Sequence, residues 1–555
     1  MTGLDRRQLM ALGLGAAAAG ARPASAGERR SGRANAPEVL PRPRIESKNE
    51  QEPVRPPRVE VQPPLRRVNA VKFWAEAALA LNALDHSVEA ANARAPGPCA
   101  ATRALGLAYA AMADAVAAVY PVDFDGCFVA NVRYEGVEYP EAFVGGACAQ
   151  ILEHIYSTPA HSHLLGMLRI QFLRLFEGQG VEAWKAGLAF GRRREFLVHW
   201  KWNEIKYAAV NSSSLYRPHP GKHDVDPFNP DQKFYGVKWG DLPPLVPEIQ
   251  HSAVGPGAPP TERDREFRHD AEEVRELGLW RPGPPTREQV RLGLFWAYDG
   301  ARLIGTPNRQ YTNIVLQILE HDGFSPPEMA RALALCNLAL ADASIVTWAN
   351  KYHYNVWRPV RALPSLFPNT RFWRPFGAPR TNPTQFALGV DTRARLTAVS
   401  VMGGGYRVVA IPTDKNVLSY PDACFTPNFP SYPSGHASFG AACFRTLQLI
   451  RAERQQTHGE PGRLAGFPSF VSDELNGTAI DNFQNELRPL LPTTFRDIDQ
   501  IIDENNRSRV HLGVHWNFDC RYGAESGAKV AQVVYRNVYR RVPHAAPQAS
   551  RIRGR

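Results

Sequence analysis

The stretch Ala100–Tyr120 reads AATRALGLAYAAMADAVAAVY, with apolar side chains on every turn of a potential helix. Its charged residues, Arg103 and Asp114, stand singly within the apolar run, which is typical of a helix buried in a soluble core rather than in a membrane. The same three- and four-residue spacing recurs before and after it, without alternation between strand and helix patterns. The sequence therefore predicts an all-α fold.

The predicted helices fall into two blocks. The first contains Val71–Glu89, Ala100–Tyr120, Glu141–Ser157, His161–Glu177 and Val181–Trp202. The second contains Gln289–Leu303, Tyr311–His321, Ser325–Lys351, Ser434–Arg451, Thr494–His515 and Asn517–Val542. Residues 214–285 and 363–433 are rich in Pro, Gly and polar side chains, which indicates long irregular segments. We expect two helical bundles with long irregular connecting loops, the second bundle carrying the functional site.

The two ends of the chain differ in composition from the helical blocks. Arg6-Arg7, a weakly apolar run and Ala24-Ser25-Ala26 predict a twin-arginine export signal over residues 1–26, and hence a periplasmic or extracellular protein. A disordered basic tail is the alternative. The predicted organisation continues with a Pro- and Arg-rich linker, an N-terminal bundle with its long loop, a C-terminal helical domain and a basic tail, at residues 27–70, 71–285, 286–542 and 543–555.

Composition argues against several functional classes. The formal net charge of the 555 residues is +11, but Arg29–Arg67 and Arg536–Arg555 hold much of the excess, and no recognisable nucleic-acid-binding motif accompanies it. None of the seven cysteines forms a Cys-x-x-Cys pair, which disfavours zinc and iron–sulfur sites. After the export signal, no run approaches the roughly 18 uncharged apolar residues of a transmembrane segment.

Two short motifs offer donors for an anion. In Lys351-Tyr-His-Tyr-Asn-Val-Trp-Arg358-Pro359, the seven-residue spacing predicts that the two cations share one helix face, with the helix ending before the proline. In Pro433-Ser434-Gly435-His436, the Ser-Gly pair precedes a helical run, so its free backbone N–H groups favour a negative charge. Taken singly, the first is more often a solvated face and the second a helix cap.

A third motif completes the set. Ser508-Arg509-x5-His515-x3-Asp519 adds a further arginine, a second histidine and a carboxylate one turn beyond it. Three fixed cations balance the charge of a tetrahedral trianion, arginine forks suit its oxygens, and histidines supply proton transfer and a nitrogen ligand. The combined pattern predicts a phosphate- or vanadate-like oxyanion site.

The three motifs together match the signature of the superfamily that contains the vanadium haloperoxidases and the type-2 phosphatidic acid phosphatases. The match covers residues 351–519 without substitution. Phe295–Gly300, Leu303–Pro307 and Phe425–Pro430 also resemble the fungal vanadium chloroperoxidases. The resemblance implies a vanadate-dependent enzyme that uses hydrogen peroxide to oxidise chloride or bromide to hypohalous acid, which halogenates a small organic acceptor.

The resemblance also implies roles for individual residues. His515 would be the axial vanadium ligand, and the donors to the vanadate oxygens would be Lys351, Arg358, Ser434, Gly435 and Arg509. His436 would be the acid–base residue, Lys351 would also act in catalysis, and Asp299 would hold Arg509 in place. Trp348 and Phe429 would line the halide pocket in the chloroperoxidase pattern.

Two other functions use the same residues. A secreted acid phosphatase would bind a phosphoryl group there, with His436 or His515 as the nucleophile. A non-catalytic oxyanion-binding protein would leave His436 without a chemical role. Added vanadate would distinguish the haloperoxidase from the phosphatase, since it would activate a haloperoxidase and inhibit a phosphatase.

Overall fold

A computed structural model of the chain describes residues 68–541, except 87–92, 211–218, 220, 231–232, 282–283, 302, 372, 380, 384–423, 459–465, 478 and 482–485. The predicted export signal, most of the linker and the basic tail lie outside the described residues. The boundary between the two predicted bundles remains a prediction. The described residues all belong to one compact unit.

The described residues confirm the all-α fold. The helices of the first half are α1 (Ala70–Asp85), α2 (Gly97–Val119), α3 (Pro140–Ile155), α4 (Pro159–Arg174), α5 (Val181–Gly191), α6 (Arg194–Leu197), α7 (Trp202–Ala209), α8 (His251–Val254) and α9 (Arg265–Leu277). Those of the second half are α10 (Pro307–His321), α11 (Pro326–Tyr354), α12 (Pro359–Leu366), α13 (Gly435–His458), α14 (Ile498–His511) and α15 (Asn517–Asn537).

The remaining regular structure is short. Single turns of 3₁₀-helix occupy Trp239–Asp241, Pro368–Thr370 and Asp473–Leu475, and Gln289–Leu294 forms a π-helix. Strands of two or three residues are β1 (Ala378–Pro379), β2 (Thr381–Pro383), β3 (Cys424–Phe425), β4 (Ala479–Asp481) and β5 (Glu486–Leu487). They pair antiparallel as β1–β3 and β2–β4–β5, and such short pairs fasten loops rather than build a core.

Several predicted elements differ from the observed ones. Val181–Trp202 contains two helices and the first residue of a third, because the chain turns after Gly191 and again after Leu197. The predicted loop 214–285 contains the 13-residue helix α9, whose buried Phe267, Ala271 and Val274 recur at helical spacing but were overlooked among its many charged residues. The predicted helix Gln289–Leu303 is a π-helix that ends at Leu294.

The longest helix, α11, has clear start and stop signals. Ser325 and Glu328 form a capping box at its N-terminus, and prolines occupy its first positions. It ends at Tyr354 and is capped by Asn355, which adopts a left-handed conformation with φ of 55°. Because α11 packs against both α2 and α13, it connects the two halves of the molecule within one continuous apolar core.

Two stretches, Gly97–Val119 and Pro326–Leu366, are long and apolar enough to cross a membrane by length and composition. In both, 94% of the most apolar window is buried inside the protein. Their apolar surface is therefore covered by packing in the core.

Candidate active site

The three sequence motifs converge at the ends of the second-half helices. Lys351 lies in the last turn of α11, Arg358 caps the N-terminus of α12, and Arg509 lies in the last turn of α14. His515 lies in the short turn before α15, and α13 begins at Gly435. The prediction that Lys351 and Arg358 share one helix face is wrong, because α11 ends at Tyr354 and Arg358 begins a new element.

A cavity of about 150 Å³ lies where these helix ends meet. Its lining includes both motif histidines, a motif cation and its carboxylate, the second-motif glycine and two aromatic residues: His436, His515, Arg509, Asp299, Gly435, Trp348 and Phe429. Lys351, Arg358 and Ser434 lie behind this lining and are buried. The structure thus brings the predicted site residues into one region, with part of the set one layer back from the cavity.

Arg509 and Asp299 form a buried two-pronged ion pair. Nη2 of Arg509 donates to Oδ1 of Asp299 at 2.7 Å, and Nη1 donates to Oδ2 at 3.2 Å. Burial raises the pKa of Asp299, and the charge of Arg509 opposes that rise. The remaining nitrogen of the guanidinium, Nε, is buried and has no hydrogen-bond partner among the described residues.

Arg358 is held by backbone carbonyls rather than by a carboxylate. Its Nε donates to the carbonyl of Phe429 at 2.9 Å, and its Nη1 donates to the carbonyl of Val514 at 2.6 Å. Burial lowers the pKa of Arg358 to about 9, although the negative charge of Asp519 acts to raise it. Its Nη2 has no hydrogen-bond partner within the described chain, so this guanidinium also keeps an unused donor.

Lys351 uses its three ammonium protons on the protein itself. Nζ donates to the carbonyl oxygens of Pro430 at 2.8 Å, Ser431 at 2.9 Å and Pro433 at 2.6 Å. Burial and then the neighbouring Arg358 hold its pKa well below the usual range. In this arrangement Lys351 positions the loop 430–433, and it would contact an oxyanion only by exchanging one of these carbonyls.

The second motif forms the N-terminus of α13. The backbone N–H of Ser434 donates to the carbonyl of Asp519 at 2.9 Å, and its Oγ accepts from the N–H of Ala437 at 3.4 Å. Gly435 is packed so that a Cβ there would lie 3.2 Å from the ring of Trp348. Only a residue without a side chain leaves this close approach undisturbed, and its position on the cavity exposes the helix terminus to an anion.

His515 has a defined orientation. Its Nδ1 lies 2.8 Å from Oδ2 of Asp519, so an ionised carboxylate there fixes the hydrogen on Nδ1 and leaves the lone pair on Nε2. Burial, reinforced by Arg358, lowers the pKa of His515 well below its ordinary value. The imidazole is therefore neutral near neutral pH, which suits a nitrogen ligand.

His436 has the opposite arrangement. Its Nε2 lies 2.8 Å from the backbone carbonyl of Ala297, which can only accept, so Nε2 carries the hydrogen and Nδ1 keeps a lone pair. Burial and the charge of Arg509 lower its pKa well below the usual range. A neutral imidazole with a free lone pair at a cavity is suited to take up a proton.

Two aromatic residues close the other side of the cavity. The rings of Trp348 and Phe429 have centroids 4.8 Å apart, and Nζ of Lys351 lies 5.5 Å and 5.1 Å from them, respectively. Phe439 stacks on Trp348 at 5.8 Å. This wall is apolar next to a cluster of cations, where electrostatic attraction for a small anion is strong because screening is weak.

Some site components were missed from the sequence. Ser431 donates from Oγ to Oδ2 of Asp519, and its own carbonyl accepts from Lys351. The carbonyl of Ala297 that orients His436 is a backbone group, which no side-chain pattern reveals. Ser431 lies between two motif residues, Pro430 and Pro433, and that proximity was the only signal available.

The donor set fits an oxyanion. At this site, one guanidinium N–H group of Arg358 and one of Arg509 are buried without a partner among the described residues, and buried donors are normally satisfied. Across the described chain, no group of three or more His, Cys, Asp and Glu side chains is arranged to hold a bare metal ion. Cations and backbone N–H groups therefore predominate, as expected for a negatively charged ligand rather than a naked cation.

Comparison with known sequences supports the resemblance. Residues 331–543 match the family model described as the VCPO second helical-bundle domain. The chain is 26% identical over 542 residues to the vanadium chloroperoxidase of Curvularia inaequalis, with 84% of this chain and 81% of that protein covered.

Solved structures share the fold. A bacterial vanadium-dependent iodoperoxidase matches with a TM-score of 0.58 and 17% identity, covering 86% of this chain and 98% of that one. The holo form of a bacterial vanadium-dependent chloroperoxidase matches with a TM-score of 0.52 and 13% identity, covering 82% and 97%. The relatives are thus named for different halides.

Proposed function

Because this chain is related in sequence and fold to the vanadium haloperoxidases, we propose that it is a vanadate-dependent haloperoxidase. It would use hydrogen peroxide to oxidise halide to hypohalous acid, which halogenates a small organic acceptor. The observation that carries the proposal is the pair of unpartnered guanidinium donors on Arg358 and Arg509, beside a neutral histidine at a small cavity.

The residues present fit vanadate. Arg509, Arg358 and the N–H of Gly435 would donate to its oxygens, and Nε2 of His515 would bond to vanadium. Bound vanadate would supply a Lewis-acidic centre that activates peroxide. Ser434 and Lys351 would shape the helix terminus and the loop that surround it, given the carbonyls that Lys351 already binds.

Proton movement is assigned to His436. With its hydrogen on Nε2 donated to Ala297, its Nδ1 can accept a proton from peroxide or water at the cavity and return it when hypohalous acid leaves. The ion pair of Asp299 with Arg509 holds the guanidinium against the cavity, so Asp299 acts through Arg509.

We propose measurable chloride oxidation at acidic pH together with faster bromide oxidation. Chloride is the harder of the two to oxidise, and the wall formed by Trp348 and Phe429 keeps water away from the cations. Steady-state halogenation of a dimedone-type acceptor with each halide, from acidic to neutral pH, tests this. Bromination without any chlorinated product would leave a haloperoxidase that does not act on chloride.

The deciding experiment compares apo-protein with and without orthovanadate. Peroxide-dependent bromination should appear only when vanadate is added, and His436→Ala should lose activity while still binding vanadate. Equal activity after chelation without vanadate would overturn the proposal. Phosphatase activity that vanadate inhibits would establish the acid phosphatase instead, and vanadate binding without either activity would indicate a binding protein.

Export by the twin-arginine route to the periplasm or the exterior remains part of the proposal. Arg6-Arg7→Lys-Lys should retain the protein in the cytoplasm, and the mature chain should begin near Gly27. Exported protein that still contains Met1 would contradict it.

A further inference from the structure

A second and larger concavity lies outside the candidate active site. It is an open groove of about 950 Å³ between residues 221–228, helix α12 and residues 373–374. Three tryptophans line it: Trp280, Trp357 and Trp373. We call it the tryptophan groove. It shares no lining residue with the 150 Å³ cavity, so it is a separate candidate site.

The charge of the groove is strongly positive. Its lining contains four cations, Lys222, Arg361, Arg371 and Arg374, and one carboxylate, that of Asp224. Asp224 is bound to Arg361, whose Nη2 lies 2.9 Å from Oδ2. The lining therefore has an excess of three positive charges, which favours an anionic ligand.

Aromatic faces stand next to these cations. The guanidinium of Arg374 lies 5.2 Å from the ring centroid of Phe228 and 5.4 Å from that of Trp280. Phe228 is 41% exposed, although a large apolar ring is normally covered. Because Arg374 already lies over these two rings, a planar ligand would stack beside it on the exposed part of Phe228, where it would meet an aromatic surface and a cation together.

The groove is held in place by hydrogen bonds to the fold. The indole Nε1 of Trp373 donates to the carbonyl of Arg275 at 2.9 Å, and the backbone N–H of Trp280 donates to the carbonyl of Arg374 at 2.9 Å. The carbonyl of Trp357 accepts from the indole of Trp516 at 3.0 Å. A surface fixed in this way loses little freedom when a ligand binds.

From these observations we propose that the tryptophan groove binds a planar aromatic carboxylate of about two fused rings. Its volume lies within the range of small-molecule sites, roughly 300–1,000 Å³. Its rings supply stacking surface and Arg374 supplies a charge-assisted partner for the carboxylate. The 150 Å³ cavity is too small for such a ligand. This proposal concerns binding alone and does not depend on peroxidase activity.

The test uses 2-naphthoate as the probe, with 2-naphthylmethanol and 2-naphthylmethylammonium as neutral and cationic counterparts of similar size. Titration calorimetry on the full-length protein, with orthovanadate present to block the smaller cavity, should show one saturable site that prefers 2-naphthoate. Absence of saturable binding, equal or tighter binding of the cationic probe, or displacement of 2-naphthoate by vanadate would each overturn the proposal.

Variants locate the site. Arg374→Gln should weaken 2-naphthoate binding by about tenfold, as expected for loss of a charge-assisted hydrogen bond, and should change 2-naphthylmethanol binding little. Phe228→Ala removes an exposed ring and should weaken both probes. Arg454→Gln is the matched control, because its guanidinium also lies over an aromatic ring, Phe324, at 4.5 Å but outside the groove. An equal loss in this control would refute the location.

Discussion

Two regions of the described structure contain buried arginines, Arg309 in one and Arg358 with Arg509 in the other, and they differ in how the guanidinium groups are hydrogen-bonded. Arg309 is fully engaged: its Nε donates to the carbonyl of Leu79 at 3.1 Å, and its Nη1 donates to the carbonyl of Ile304 at 3.1 Å and to Asp473. Arg358 and Arg509 are equally buried, yet each keeps one N–H group without a partner in the described chain. The first arrangement serves the fold, and the second is incomplete without a ligand.

This difference distinguishes a buried cation that stabilises the fold from one that is placed to bind a ligand. A buried cation that serves stability needs its carboxylate and carbonyl partners close by, since an unpaired charge away from water is costly. Among the described residues, Arg509 pairs with the carboxylate of Asp299, whereas Lys351 and Arg358 form no salt bridge with a carboxylate. An anion in the cavity would supply the missing negative charge, so loss of a cation should affect binding more than folding.

The largest expected effect is a loss of stability on replacing Arg309, the arginine whose partners all belong to the fold. Arg309→Met should lower the free energy of unfolding by about 3–5 kcal/mol, because it leaves the carboxylate of Asp473 buried without its cation. Urea denaturation would measure this. Vanadate affinity of the folded variant should be unchanged, and a large loss of affinity would show that the two arginine regions are not distinct.

The next effect is on vanadate binding. Arg358→Ala or Arg509→Ala should weaken vanadate affinity by roughly 2–5 kcal/mol, as for removal of a buried charge-assisted bond. Equilibrium titration with orthovanadate would measure it without turnover. If both variants bound vanadate as tightly as the unmodified protein, the oxyanion site would have to lie elsewhere.

A smaller effect is expected at Ser431. Its Oγ holds the carboxylate that orients His515, and groups that orient a metal ligand are typically worth 10–100-fold in metal affinity. Ser431→Ala should therefore weaken vanadate binding by about tenfold, with Ser431→Thr restoring it. Ser438→Ala, which removes a buried hydroxyl bonded to the carbonyl of Ser434, should leave affinity nearly unchanged. Equal losses in both alanine variants would point to general packing.

The subtlest effect concerns pH. Protonation of His515 would block its Nε2, and burial followed by the charge of Arg358 keeps its pKa well below the ordinary value. Protonation of His515 should therefore weaken vanadate binding only well below pH 6.5, whereas Asp519, whose pKa burial raises to about 7, should release Nδ1 of His515 nearer neutral pH. Arg358→Gln removes a positive neighbour, so the pKa of His515 should rise and the loss from its protonation should begin at higher pH. Affinity titrations from pH 8 to 5, with Arg309→Met as control, would reveal an unmoved midpoint if Arg358 does not act on His515.

Much of the fold was accessible from the sequence because apolar spacing marks buried helices directly. Ala100–Tyr120 was predicted as a core helix, and the structure has Gly97–Val119 at that place. Helix α9 was missed although its buried residues recur every three or four positions, because it is short and most of its residues are charged. The spacing argument on the first motif continued the helix to Arg358, whereas it ends at Tyr354, because the left-handed residue Asn355 leaves no strong mark in the sequence.

The candidate site was predictable as a set of residue types but not as a geometry. The motifs indicated which side chains would gather, and the structure places them around one cavity or directly behind it. Lys351 donates to three backbone carbonyls, and this arrangement depends on the path of the loop 430–433. Such backbone contacts arise from tertiary packing, so spacing along the chain could not reveal them.

The segment 297–299 joins two chemical tasks in three consecutive residues. The carbonyl of Ala297 orients His436, and the carboxylate of Asp299 holds Arg509. Between them, Tyr298 has a φ of 37°, and its hydroxyl accepts from the backbone N–H of Asp473, the residue paired with Arg309. A shift of this segment would therefore displace the proton acceptor and the anion-binding cation together. A substitution of Tyr298 itself should consequently be non-additive with a substitution of Asp299 or His436.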